Sequence, residues 1–160
     1  MAEVLCQALF INFSNSFELL RNTILQFTPD QWLRGGDDLQ VPAKISYHIL
    51  DALDYYLREN PDADYVWGHR FGGGWWALEP AEMPTPQDLI QYLEEIEERA
   101  NLLFFRKLTD EDLSQPFDKE RQHGDTHLEH FIYALRHTMH HHGALSLLSL
   151  QFENPEGIWK

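Results

Sequence analysis

Apolar residues recur at intervals of three and four along four separate stretches of this chain, and nowhere do they alternate as a half-buried strand requires. In the first stretch, from about Ala2 to Gln26, Leu5, Leu9, Phe13, Phe17, Leu20 and Ile24 share one helical face. The second begins near Pro42 and stops near Asn60-Pro61, with Ile45, Ile49, Ala52, Leu53 and Tyr56 inward. The third opens at Thr85-Pro86 with Asp88 in its first turn, and faces inward through Leu89, Leu93, Ile96, Leu103 and Phe104. The fourth follows Thr126, which has capping-box spacing to Glu129, and continues to about Leu150. Shorter capped turns are expected at "TPDQ" and "TDED". Hairpin signals such as Asn-Gly are absent. The pattern predicts an all-α chain, an antiparallel four-helix bundle occupying one domain over residues 1–160. Its one long connection, Asn60 to Pro84 between the second and third helices, is rich in glycine and tryptophan, and loops of that length are commonly functional.

Composition narrows the function classes. Twenty-six acidic residues against 12 Lys and Arg give a formal charge of −14, which repels phosphate backbones and anionic lipid. Neither a nucleic-acid nor a membrane partner is expected. No run of about 18 apolar residues is long enough to span a bilayer. The stretch "MAEVLCQALF" carries Glu3 and lacks the basic cluster of a secretory signal, and the single Cys6 cannot form an internal disulfide. A cytoplasmic protein is the expectation. "FGGGWW" is followed by no Gly-Lys-Ser/Thr and preceded by no strand, so it is not a phosphate loop. No Gly-x-Ser-x-Gly elbow occurs, no catalytic nucleophile stands out, and Cys6 lies in an apolar helix as a small hydrophobe.

The chemistry concentrates in "RHTMHHHGALSLL", residues 136–148. Phe131, Ala134, Thr138, His141, Leu145 and Leu148 form an inward seam on the fourth helix, and His137 lies one turn before His141 on the same side. His140 and His142 are turned about 100° to either side and are expected on the solvent side. His48, between Ile45 and Ala52, leans inward from the second helix. Three neutral imidazoles with water describe an open site for zinc or a similar divalent ion. An unliganded surface tract is the plain alternative. His130 competes for a ligand role, while His69 and His123 fall in loops. Asp51, one turn after His48, is a candidate acceptor for an imidazole N–H or an ordinary surface carboxylate. Trp67, Trp75 and Trp76 are candidates to border a substrate pocket beneath a flexible lid, or to pack the loop onto the helices.

His48 in "KISYHILDALDYYL" together with His137 and His141 resembles the DinB-like (YfiT-like) bundle family, in which the second helix supplies one histidine and the fourth an H-x-x-x-H pair. The resemblance spans essentially the whole chain. This sequence reads His142-Gly143-Ala144 where the family favours Arg-Gly-Gln. The resemblance implies a divalent ion, often zinc or nickel, held by His48, His137 and His141, and an association into dimers common among such bundles. It also implies a transferase that joins a low-molecular-weight thiol cosubstrate to an electrophilic small molecule. A non-catalytic metal-binding or small-molecule-binding protein of a stress response is the alternative from a different class. A haem bundle is the third, disfavoured because His137 and His141 share one face and no C-x-x-C-H motif occurs.

Overall fold

A computed structural model describes residues 3–36, 38–58, 65–116 and 123–154. The fold is all-α. Its long helices are α1 (Val4–Ile24), α3 (Pro42–Tyr56), α4 (Pro86–Leu102) and α6 (His127–Gln151), with one-turn helices α2 (Pro29–Trp32) and α5 (Asp110–Leu113) between them. The expected starts are found where side chains satisfy the free amides of the first turn. Thr126 Oγ1 accepts from the Glu129 amide at 3.3 Å while Glu129 accepts from the Thr126 amide at 2.9 Å. Thr85 with Asp88, and Thr109 with Asp112, repeat the exchange. At α2 the Gln31 side chain accepts from the Thr28 amide. The α1 start is capped from afar, because Asp110 accepts from the amides of Leu5 and Cys6. α4 ends in a widened turn at Leu103–Lys107 that still buries Leu103 and Phe104. The second helix ends at Tyr56, and its expected stop at Asn60-Pro61 lies outside the described residues.

Side-chain pairs set the helix directions. Arg21 with Glu97 and Phe13 with Phe104 run α1 and α4 antiparallel, and His48 with His141 and Tyr56 with His130 do the same for α3 and α6. Ser16 with Met139 and Gln26 with Ser149 run α1 and α6 parallel. It follows that α3 and α4 are parallel too. Each long helix has one antiparallel and one parallel neighbour, and the expected strict alternation is corrected accordingly. The cause is the long connection before α4, which is long enough to return the chain to the end where α3 began. The core between them includes Phe13, Phe17, Leu20, Ile49, Leu53 and Tyr92, all essentially inaccessible to solvent. Leu5, expected on the inward face, is 44% exposed, and the adjacent Cys6 is buried in its place. Burial first, then Asp110, raise the Cys6 thiol to about 11, so it is an inert core group. Among the described residues no helix is long and apolar enough to cross a membrane.

Residues 65–78 of the connection fold into a docked turn. The buried Asp51 carboxylate accepts the Tyr65 hydroxyl at 2.6 Å and the Gly68 amide at 3.1 Å, while the Tyr47 hydroxyl donates to the Gly73 carbonyl at 2.9 Å. Gly68 has φ +79°, and a Cβ there would strike the backbone of Gly73 and Gly74, so the turn accepts only glycine. A second buried carboxylate, Asp54, reaches the same turn. It holds Arg58 through two bonds, Arg99 at 2.7 Å and the Tyr92 hydroxyl at 2.7 Å, with His69 at 3.4 Å.

Candidate metal centre

α3 and α6 lie side by side and antiparallel, so residues midway along each face one another. His48 comes from α3, and His137 and His141 come from successive turns of α6. The 48–141, 137–141 and 48–137 ring centroids are 4.5, 4.6 and 5.1 Å apart. One ligand atom from each ring lies within 4.8 Å of the other two, and the Nε2 atoms of His48 and His141 are 3.2 Å apart. A tetrahedral zinc with bonds of about 2.05 Å needs N···N edges of about 3.3 Å, 1.63 times the bond length. One edge already has that length, and the other two are no longer than 4.8 Å.

The rings are neutral at ordinary pH. Burial, then the neighbouring His141 and His137, lower the His48 imidazole to about 3. Burial, then His141, His140 and His123, lower His137 to about 4. His141 is lowered as well, by burial and then by His140. A neutral imidazole keeps a lone pair for a cation, and protons compete for it only in acid. The Nδ1 atoms of His48 and His137 are buried and make no hydrogen bond among the described residues. One N–H···N bond between His48 and His141 leaves both of these atoms unanswered.

Aromatic side chains wall the cluster. Trp75 meets the His48 ring edge-on at 5.0 Å, and Tyr56 and Tyr133 lie 5.8 and 6.1 Å from His137. Of the three expected pocket tryptophans, Trp75 touches the cluster and Trp76 packs on Trp75. Trp67 does not reach it: the Gly68 turn directs its ring onto Tyr55 and Tyr65, at 5.0 and 5.2 Å. Asp51 is also reassigned. Its carboxylate is committed to Tyr65 and Gly68, and so anchors the loop instead of accepting from His48. Burial raises its pKa, opposed by those same bonds.

The remaining histidines separate cleanly. His140 is exposed, as expected. His142, expected on the solvent side, is 5% exposed, with Nε2 3.0 Å from Thr23 Oγ1 and 3.4 Å from Ser146 Oγ. α6 packs on two helices at once, so its α1-facing side, about 100° from His141, is buried too. His130 is buried with Nε2 3.1 Å from the Tyr56 carbonyl, where an N–H must donate, and this commits that nitrogen away from a ligand role. His123 stacks on Tyr133 at 4.0 Å, and His69 lies beside Asp54. Sequence reasoning missed the Tyr133 wall, although its place one turn before His137 was a usable signal. Compared with protein-family models, curated proteins and solved structures, the chain matches none.

Proposed function

We propose that this chain is a divalent-metal protein with the four-helix bundle of the DinB-like family, in which His48, His137 and His141 are the ligands. The observation that carries this reading is the convergence of three half-buried, neutral imidazoles from two helices on one point. Zinc or nickel suits that donor set. Such an ion would supply Lewis acidity and would hold a low-molecular-weight thiol as its thiolate at neutral pH. The chain's own residues supply the surroundings: Trp75 covers His48, and Tyr56 and Tyr133 flank His137, an aromatic rim that positions a small electrophilic substrate and keeps water from it. The reaction we assign is thiol S-transfer.

A second reading, metal or small-molecule binding without turnover, has one observation in its favour. Among the described residues the ring neighbours of the three histidines are aromatic or imidazole, and both buried carboxylates of α3 are committed to the loop and to α4, so none of these acids stands ready to move a proton. Elemental analysis of untagged protein, purified without metal-affinity resin, tests the shared premise. We expect about one divalent ion per chain, lost in His48→Ala and His141→Ala and retained in His140→Ala. Full occupancy in His48→Ala would sink the ligand set. Stoichiometric metal without turnover across a panel of thiols and electrophiles would decide for the second reading.

A further inference from the structure

The C-terminal end of α1, α2 and the segment entering α4 enclose a pocket of about 420 Å³ that shares no residue with the histidine cluster. Phe27, Trp32 and Leu33 form one wall, and Pro80, Met83 and Pro86 form the other. The walls are tied together, since the Trp32 indole N–H donates to the Pro84 carbonyl at 2.9 Å. They are also stiff: Pro29 opens α2, Pro80 opens a one-turn 3₁₀ helix and Pro86 opens α4, each with φ fixed by its ring. A pocket held open in this way loses little freedom on binding.

Its chemistry is selective. Among the described residues no charged side chain lines it, in a chain with 26 acidic and 12 basic residues. The Thr85 hydroxyl is engaged with Asp88 and the Trp32 N–H with Pro84, leaving the Gln87 amide as a polar edge. An ion entering here would lose its hydration and gain no counter-charge. The volume lies within the range of small-molecule pockets, roughly 300–1,000 Å³. Phe27 and Trp32, with ring centroids 6.1 Å apart, offer faces and edges to a flat ring. We propose that this pocket is a second, metal-independent binding site for a small uncharged aromatic molecule.

The test uses the full-length protein and N-phenyl-1-naphthylamine, an uncharged dye that brightens in apolar surroundings. Titration should saturate at one site per chain, unchanged by a chelator or by His48→Ala. Leu33 and Ala81 are exposed lining residues on opposite walls, so Leu33→Asp and Ala81→Asp leave the fold intact and should each weaken binding about tenfold or more. Leu33→Met should stay within about threefold of the parent. The sulfonated analogue of the dye should bind at least about tenfold more weakly. Absence of saturable binding overturns the proposal, as does binding lost with His48→Ala or indifferent to both aspartates. Equal affinity for the sulfonated dye refutes the charge argument. None of these outcomes depends on the metal reading above.

Discussion

Replacing Asp54 by alanine should cost about 3 kcal/mol, more than any other single polar substitution in the region between α3 and α4. The carboxylate is 1% exposed and is shared by two arginines, a tyrosine and a histidine. Breaking a buried ion pair by removing one partner costs about 3–5 kcal/mol when the orphaned charge stays buried. Here that figure must be discounted, because the Arg58 and Arg99 side chains are 32% and 33% exposed and can turn toward water. The Tyr92 hydroxyl cannot, since the residue is 1% exposed, and an unmet buried donor adds about 1–3 kcal/mol. Urea denaturation followed by far-UV circular dichroism measures the loss, and for a chain of this size it corresponds to a Tm lower by about 6–12 °C. Asp54→Asn keeps one acceptor oxygen and should cost less than Asp54→Ala. Arg58→Ala removes a partly exposed partner and should cost about 1 kcal/mol or less. An Asp54→Ala variant within 1 kcal/mol of the parent, or an Arg58→Ala variant as damaged as Asp54→Ala, would refute the view of Asp54 as the hub.

Two further outcomes follow from the loop and the histidines. Gly68→Ala forces a side chain into a turn at φ +79° and against the Gly73–Gly74 backbone, so it should lower stability by about 2–4 kcal/mol and change the near-UV dichroism of the docked tryptophans. A variant with parental urea midpoint and near-UV spectrum would show that the turn is not held as described. Chelator-treated protein should lose stability as the pH falls from about 6.5 toward 4, because the unfolded chain takes up protons that folded His48 and His137, lowered to about 3 and about 4, refuse. With allowance for partial exposure the loss is on the order of 2 kcal/mol at pH 5, and the His48→Gln/His137→Gln double variant should show a flatter urea midpoint against pH. Identical slopes in parent and variant would exclude these two rings as the source.

Helix content was legible because each long helix buries one broad face, and α4 and α6 also mark their starts with Thr-x-x-Asp/Glu, signals that depend on local spacing alone. The grouping of His48, His137 and His141 was legible for the same reason: each sits on an apolar stripe, and stripes from neighbouring helices must meet. What could not be read were features set by a second neighbour. His142 is buried because α6 also packs on α1, and a single inward seam in the sequence carries no trace of that. The parallel pairing of α1 with α6 arises from the crossover between α3 and α4, whose length the sequence shows but whose path it does not.

Asp51 and Asp54 make the same point energetically. On a helix whose visible pattern is Ile45, Ile49, Leu53, two carboxylates three residues apart look like solvated surface, yet both are buried. Their partners, Tyr65 and Gly68 for one and Arg58, Tyr92 and Arg99 for the other, lie from 4 to 45 residues away in sequence. Burial without such partners would cost several kcal/mol each, so the carboxylates and the docked turn stabilise one another and form together. The turn in turn places Trp75 against His48. The wall of the histidine cluster is therefore held by acids of α3 whose hydrogen bonds go to the loop and to α4 and not to the cluster.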